Sequence, residues 1–146
     1  MEALAIWIPR SMDDYLRQRI GAGEDPQAAK AHVASQQEQF FPAGRPGDGQ
    51  FIMDVVDGDQ VVGTLWLGRP VTGPPDAWFV YNIEIDAEFR SRGYGRATMR
   101  CAEAWVRERG GSRLGLNVFG PNVVARALYD SLGYQVQATA MFKDLG

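Results

Sequence analysis

Polar and apolar positions change period several times along the chain, and each change predicts an element. Gln50 to Val56 and Gln60 to Leu67 alternate around Asp57-Gly58-Asp59, the pattern of a β-hairpin closed by a tight turn. A longer extended run, Ala77 to Asp86, predicts a further strand. From Tyr94 to Glu108 the period becomes helical. Met99, Cys101, Ala102, Trp105 and Val106 make an apolar stripe there, and Arg96, Arg100, Glu103 and Arg107 lie on the wet side, where Glu103 can pair with its neighbours. Gly110-Gly111 ends that helix. Arg113 to Phe119 then predicts a strand and Asn122 to Leu132 a helix, with Gly133 where a left-handed C-terminal residue is expected. Tyr134 to Gln137 and Ala140 to Lys143 predict a closing pair of strands.

The N-terminal third is patterned differently. Leu4 to Ile8 is a short apolar run that predicts a first strand, ended by Pro9. Ser11 is a candidate N-cap for a helix from Met12 to Ile20, with Asp13 and Asp14 in its first turn. After Gly21-Ala22-Gly23, Asp25-Pro26 places a cap and then a proline at the first helical position, starting a helix that runs to about Phe40. Ala29, Val33 and Phe40 fall on one side of it. Phe41 to Gly49 and Gly68 to Pro75 are loops rich in proline and glycine. No repeat, low-complexity tract or linker interrupts the chain, so residues 1–146 read as one domain of the α/β class: a mixed sheet with helices on its faces.

Composition narrows the partners. The 45% hydrophobic and 23% charged content is ordinary for a globular domain. A net charge of −3 argues against general nucleic-acid affinity. The basic residues are almost all arginine, and four of them, Arg90, Arg92, Arg96 and Arg100, cluster in a way that suits one small polyanion. Cys101, the single cysteine, excludes an internal disulfide and a cysteine zinc site; within its apolar stripe it reads as a small core residue. No metal site is indicated. Met1 to Ile8 lacks a basic leader, and nothing approaches the roughly 18 apolar residues of a membrane span. The expectation is a cytoplasmic protein that binds neither nucleic acid nor membrane.

Candidate chemistry centres on Arg90-Ser91-Arg92-Gly93-Tyr94-Gly95-Arg96-Ala97, which lies between a predicted strand and a predicted helix. Two glycines let an anion approach the main chain, the first helical turn supplies unpaired N–H groups, and arginines add planar positive charge. The loop is not a Walker sequence, which needs Lys and then Ser or Thr after its last glycine. Nor is it a dinucleotide fingerprint, because Thr98 stands where a third Gly or Ala belongs. Arg-x-x-Gly-x-Gly instead resembles the pyrophosphate loop of the GNAT superfamily of acyl-CoA-dependent N-acyltransferases. Further on, Asn122-Val-Val-Ala-Arg-Ala-Leu-Tyr129-Asp-Ser-Leu-Gly133-Tyr134 is similar to the Asn-x-x-Ala-x-x-Leu-Tyr-x-x-x-Gly-Phe/Tyr signature of the same superfamily. The two motifs occur in the superfamily's order, and the resemblance covers roughly residues 50 to 146.

The resemblance implies an enzyme that moves an acetyl group from acetyl-CoA to an amine by direct attack in a ternary complex. Residues 50–146 would be the core with the acyl-CoA loop, and residues 1–49 would carry the acceptor-side helices. Ser91, Arg92, Gly93, Tyr94, Gly95 and Arg96 would hold the pyrophosphate, the backbone of Ile83 and Ile85 would bond the pantetheine arm, and Asn122 would contact it. Tyr129 would donate a proton to the departing thiolate, which a phenol of pKa about 10 can do; without the motif it would read as a core-edge aromatic. Glu84, on the polar side of its strand with Asn82 and Asp86, is a candidate general base. It is equally readable as a carboxylate paired with an arginine or one that binds the acceptor amine. Glu84 and Asn117 together predict the walls of a wet cleft. The acceptor, a small molecule or a protein amine, is not specified by any pattern, although the acidic balance leans to a polyamine or aminoglycoside. A homodimer is expected by analogy. The rival reading is a non-catalytic acyl-CoA-binding sensor or interaction module.

Overall fold

The computed structural model describes residues 3–146, and their elements are α1 (Leu4–Gly21), α2 (Pro26–Phe40), β1 (Gln50–Asp57), β2 (Gln60–Gly68), β3 (Ala77–Ile85), α3 (Tyr94–Glu108), β4 (Arg113–Leu116) and α4 (Val123–Ser131). The sheet runs β1-β2-β3-β4, antiparallel across the first two junctions and parallel between β3 and β4. It is therefore a mixed sheet, as expected. Helices cover both faces. Leu65, Leu67, Trp78 and Val80 pack against Met99, Ala102 and Val106 of α3 and Tyr129 of α4. On the other face Trp66 meets Trp7, Ile8 and Met12 of α1 and Val33 and Phe40 of α2.

The predicted first strand is instead the start of α1. Trp7, Ile8, Ser11 and Met12 are its buried residues, a spacing of one and four that only a helix turns to a single side. Pro9 lies inside the helix, where it forfeits one main-chain donor. The cost is offset by burial of Trp7, whose ring stands edge-on to Phe41 and Trp66 at centroid distances of 6.2 and 6.1 Å. Ser11 is thus a buried mid-helix residue and not an N-cap. α2 begins as predicted, with the Asp25 carboxylate accepting from the Ala28 N–H.

Three further expectations change. Cys101 is exposed, because it lies about 200° around the helix from Met99; Thr98 joins Met99, Ala102 and Val106 as the buried stripe. β4 stops at Leu116, three residues short of the predicted end. The closing strand pair does not form within the chain: residues 135–146 are exposed and unassigned, with Val136, Met141, Phe142 and Leu145 facing solvent. Among the described residues no helix is long and apolar enough to cross a membrane.

Candidate active site

Two features of β3 create the site. First, β4 pairs with β3 only from Ala77 to Val80, so beyond Val80 one side of β3 has no neighbouring strand. Second, Trp66 pairs with Asn82 while the next residue of β2, Leu67, pairs with Val80, which leaves Tyr81 as the extra residue of a β-bulge. The bulge resets the alternation of faces. Alternation alone puts Phe79 and Tyr81 with Ile83 and Ile85; in the structure Val80 and Ile83 share the α3 face, and Tyr81 packs with the α1–α2 cluster, its ring 4.9 Å from Phe79 and 4.7 Å from Phe40. The Tyr81 hydroxyl donates to the Arg69 carbonyl, and burial pushes its pKa up to about 12.

The open side of β3 presents specific backbone groups. The Asp86 N–H donates to the Val62 carbonyl of β2, so by strand alternation the groups of Glu84 face β2 and those of Ile83 and Ile85 face the gap. The Ile85 carbonyl is already taken by Arg90 Nε at 2.9 Å, which leaves the Ile85 N–H and both groups of Ile83.

The glycine loop continues from this edge. A turn of 3-10 helix, Ala87–Phe89, anchored by buried Phe89, leads into Ser91 and Gly93, whose φ angles are +62° and +84°. Backbone alternating in this way turns successive N–H groups to one side. From Ser91 to Arg96 none of those N–H groups has a backbone acceptor among the described residues; the first bonded one is Ala97, to the Gly93 carbonyl. A Cβ at Gly93 would meet nothing within 4 Å, so the approach is open, whereas a Cβ at Gly95 would stand 3.3 Å from Leu128 Cδ2 of α4. Gly95 therefore serves the close packing of α3 on α4. The side chains divide in the same way. Arg96 donates to Ser131 Oγ at 2.7 Å, Tyr94 OH donates to Asp57 at 2.6 Å, and the Arg92 guanidinium lies 5.7 Å from the Phe89 ring centroid. Of the three arginines within the loop, Arg90 and Arg96 are thus engaged with protein groups.

Glu84 faces α1. Arg10 Nη1 donates to both of its carboxylate oxygens, at 2.9 and 3.1 Å, and beside it Asn82 Nδ2 donates to Ser11 Oγ. The arginine partner allowed by the sequence is present. It escaped identification because the strand reading of residues 4–8 hid the helix that delivers it. Tyr129 is 9% exposed within the α3–α4 core, its ring 6.0 Å from Tyr134, and burial raises its pKa above the usual phenol value. Its hydroxyl has no hydrogen-bond partner among the described residues. Ile83 packs against the same cluster, which brings the open edge and Tyr129 together. Asn122 caps α4, its Oδ1 accepting from the Ala125 N–H at 3.1 Å.

A cavity of about 440 Å³ opens on the α2 side where β3 and β4 part. Phe79, Tyr81 and Phe40 give it aromatic rings, His32, Ser35, Gln36 and Gln39 form its α2 wall, Pro70 to Thr72 come from the β2–β3 loop, and Asn117 follows β4. Asn117 lies beyond the strand and lines this cavity; Glu84 is not among the lining residues. The helical spacing of His32, Ser35, Gln36 and Gln39 was the available signal for this wall. Among the described residues no group of three His, Cys, Asp or Glu side chains is placed to hold a metal.

The model of the acetyltransferase (GNAT) family matches residues 12–134. The chain belongs to that family. The uncharacterized N-acetyltransferase YdgE of Bacillus subtilis (strain 168) is 27% identical to this GNAT chain over 137 residues, 92% of the chain and 87% of YdgE. YycN of the same organism, also described as an uncharacterized N-acetyltransferase, is 31% identical over 86 residues, 59% of this chain and 55% of its own. The crystal structure of YycN superposes with a TM-score of 0.84 at 23% identity, covering 95% of this chain and 90% of YycN. AAC(6')-Iy, solved in complex with the bisubstrate analogue CoA-S-monomethyl-acetylneamine, shares the fold at a TM-score of 0.57 and 14% identity, covering 88% of this chain and 85% of its own. A GNAT acetyltransferase is an acyltransferase acting on groups other than amino-acyl groups, and that is the enzyme class of this chain.

Proposed function

We propose that this enzyme transfers an acetyl group from acetyl-CoA to a primary amine by direct attack, with no covalent enzyme intermediate. The observation that carries the reading is the row of main-chain donors from Ser91 to Arg96 without acceptors, continuous with the open edge of β3. Diphosphate oxygens fit such a row, and an extended amide-bearing arm fits an unpaired strand edge. Ser91, Arg92, Gly93, Tyr94, Gly95 and Arg96 hold the pyrophosphate through their N–H groups. Ile83 and Ile85 bond the pantetheine amides and polarise the thioester carbonyl, and the free amide nitrogen of Asn122 contacts the arm. Acetyl-CoA supplies the activated acyl carbon.

Glu84, fixed by Arg10, takes a proton from the acceptor ammonium through a water. The amine lone pair then forms the C–N bond, the C–S bond breaks, the Tyr129 phenol protonates the thiolate, and the second proton lost by the nitrogen as the amide forms restores the phenol through solvent. Its raised pKa keeps that proton in place at neutral pH. Donors aimed at the developing oxyanion contribute a few kcal/mol. The reaction is placed in the cytoplasm, with the acyl-CoA pool. We propose further that the protein works as a homodimer in which the exposed strand-like segment 135–146 pairs with a second copy, since β4 ends the sheet with a free edge.

Calorimetric titration with acetyl-CoA, CoA and NAD tests the donor site. Acetyl-CoA and CoA should bind and NAD should not. Tyr129→Phe should keep that affinity while transfer falls at least roughly 100-fold. Absence of CoA binding overturns the reading.

A further inference from the structure

Resting on the acyl-transfer reading above, we infer that the acceptor is an aromatic monoamine whose remaining polar groups are uncharged. The 440 Å³ groove at the β3–β4 fork, open to solvent along α2, is where its body would lie, a volume suited to a small organic molecule. Two properties of the lining decide its chemistry. The first is charge: among the described residues no aspartate, glutamate, lysine or arginine lines it. The carboxylate on the same strand face, Glu84, gives both oxygens to Arg10, so it contributes no unbalanced negative charge to the approach. A polyamine or aminoglycoside brings several ammonium groups, and in this open groove none beyond the reacting nitrogen would find an anionic partner. The lean towards such acceptors drawn from the acidic balance is therefore reversed. The chain is acidic overall, but not in this cavity.

The second property is the pairing of ring faces with neutral hydrogen-bonding groups. Phe40 and Phe79 flank Tyr81 at centroid distances of 4.7 and 4.9 Å, which makes an aromatic surface on which a flat ring can pack. Gln36 and Gln39 stand one helical turn apart on α2, and Asn117 faces in from the end of β4. Their amides donate and accept, and so complement a neutral amide or hydroxyl without needing charge. An amine on an aromatic body bearing such a group satisfies both halves of the wall.

The test measures CoA release from acetyl-CoA by the full chain with phenylalaninamide and tyramine against spermidine and kanamycin. The expected result is a kcat/KM at least tenfold higher for the aromatic monoamines. Gln39→Glu, on the exposed face of α2, should narrow that ratio by raising spermidine turnover, with acetyl-CoA affinity and melting temperature unchanged. Preference of the unaltered enzyme for spermidine or kanamycin overturns the inference, as does CoA binding with no turnover of either aromatic amine. Loss of CoA binding itself would instead strike at the acyl-transfer reading.

Discussion

Arg10 and Glu84, 74 residues apart in sequence, are joined by a guanidinium nitrogen that donates to both carboxylate oxygens at 2.9 and 3.1 Å. The contact ties α1 to β3 at the residue proposed to take the acceptor's proton. Glu84→Gln should lower kcat at least tenfold while leaving CoA affinity intact. Arg10→Met should cost about 1 kcal/mol of stability in urea denaturation, because a half-buried carboxylate loses its charged donor. If the pair acts as a unit, the double variant will be less destabilised than the sum of the two single changes.

The two loop glycines should fail differently. Gly93 holds φ = +84° in open space, so Gly93→Ala meets backbone strain alone, about 1 kcal/mol. Its effect should appear chiefly as weaker binding of CoA in calorimetry, since the strained residue orients the free N–H groups. At Gly95 the added methyl meets Leu128. Gly95→Ala should therefore leave CoA affinity nearly unchanged and shift the melting temperature by the balance of that contact against the gain in helix propensity, about 1 kcal/mol, and Leu128→Ala should make the shift more favourable by removing the contact.

Alkaline pH should weaken the fold through its buried phenols. Burial raises the pKa of Tyr81 to about 12 and that of Tyr129 above the ordinary value, and Tyr134, which also donates to Glu103, is raised as well. In the unfolded chain each titrates near 10. Between pH 10 and 12 the unfolded state has lost protons that the native state keeps, so stability falls as pH rises. Below pH 10 the contribution is fully present. Urea midpoints measured from pH 9 to 11.5 should decline, and Tyr81→Phe should flatten the decline. A midpoint constant across that range would contradict the burial of these rings.

The C-terminal segment predicts a change of mass. Phe142 is 92% exposed and Met141 87% in the isolated chain, so a second copy would remove considerable apolar surface from water. Light scattering should give a dimer for the full chain and a monomer for a chain ending at Gln135, which retains the Tyr134 contact with Glu103. A full chain that is monomeric at 100 µM, or a shortened one that remains dimeric, would rule out pairing through this segment.

Sequence legibility followed the range of the interaction that fixes each element. The β1–β2 hairpin, α2 and α3 are set by neighbours a few residues away, and their patterns located them closely. The glycine loop between β3 and α3 was located for the same reason: its unbonded main-chain N–H groups, Ser91 to Arg96, come from consecutive residues. The bulge at Tyr81 was not, because it exists only in the register with Trp66 and Leu67 of another strand. The roles of Arg10 and Ser11 were hidden because a short apolar run before a proline reads as a strand, and only packing on Trp66 makes it helical. The closing strands had the right composition, but β-propensity expresses itself only beside a partner strand, and the folded chain offers them none.

The half-paired state of β3 gives the strand an uneven exchange pattern with solvent deuterium. The amides of Asn82 and Glu84 face β2 and should be replaced slowly, whereas those of Ile83 and Ile85, one residue away, should be replaced quickly. A donor molecule lying along the gap would slow the second pair without touching the first. Occupancy of the cleft can thus be followed amide by amide, on a strand whose neighbours supply the internal clock, before any acceptor is known.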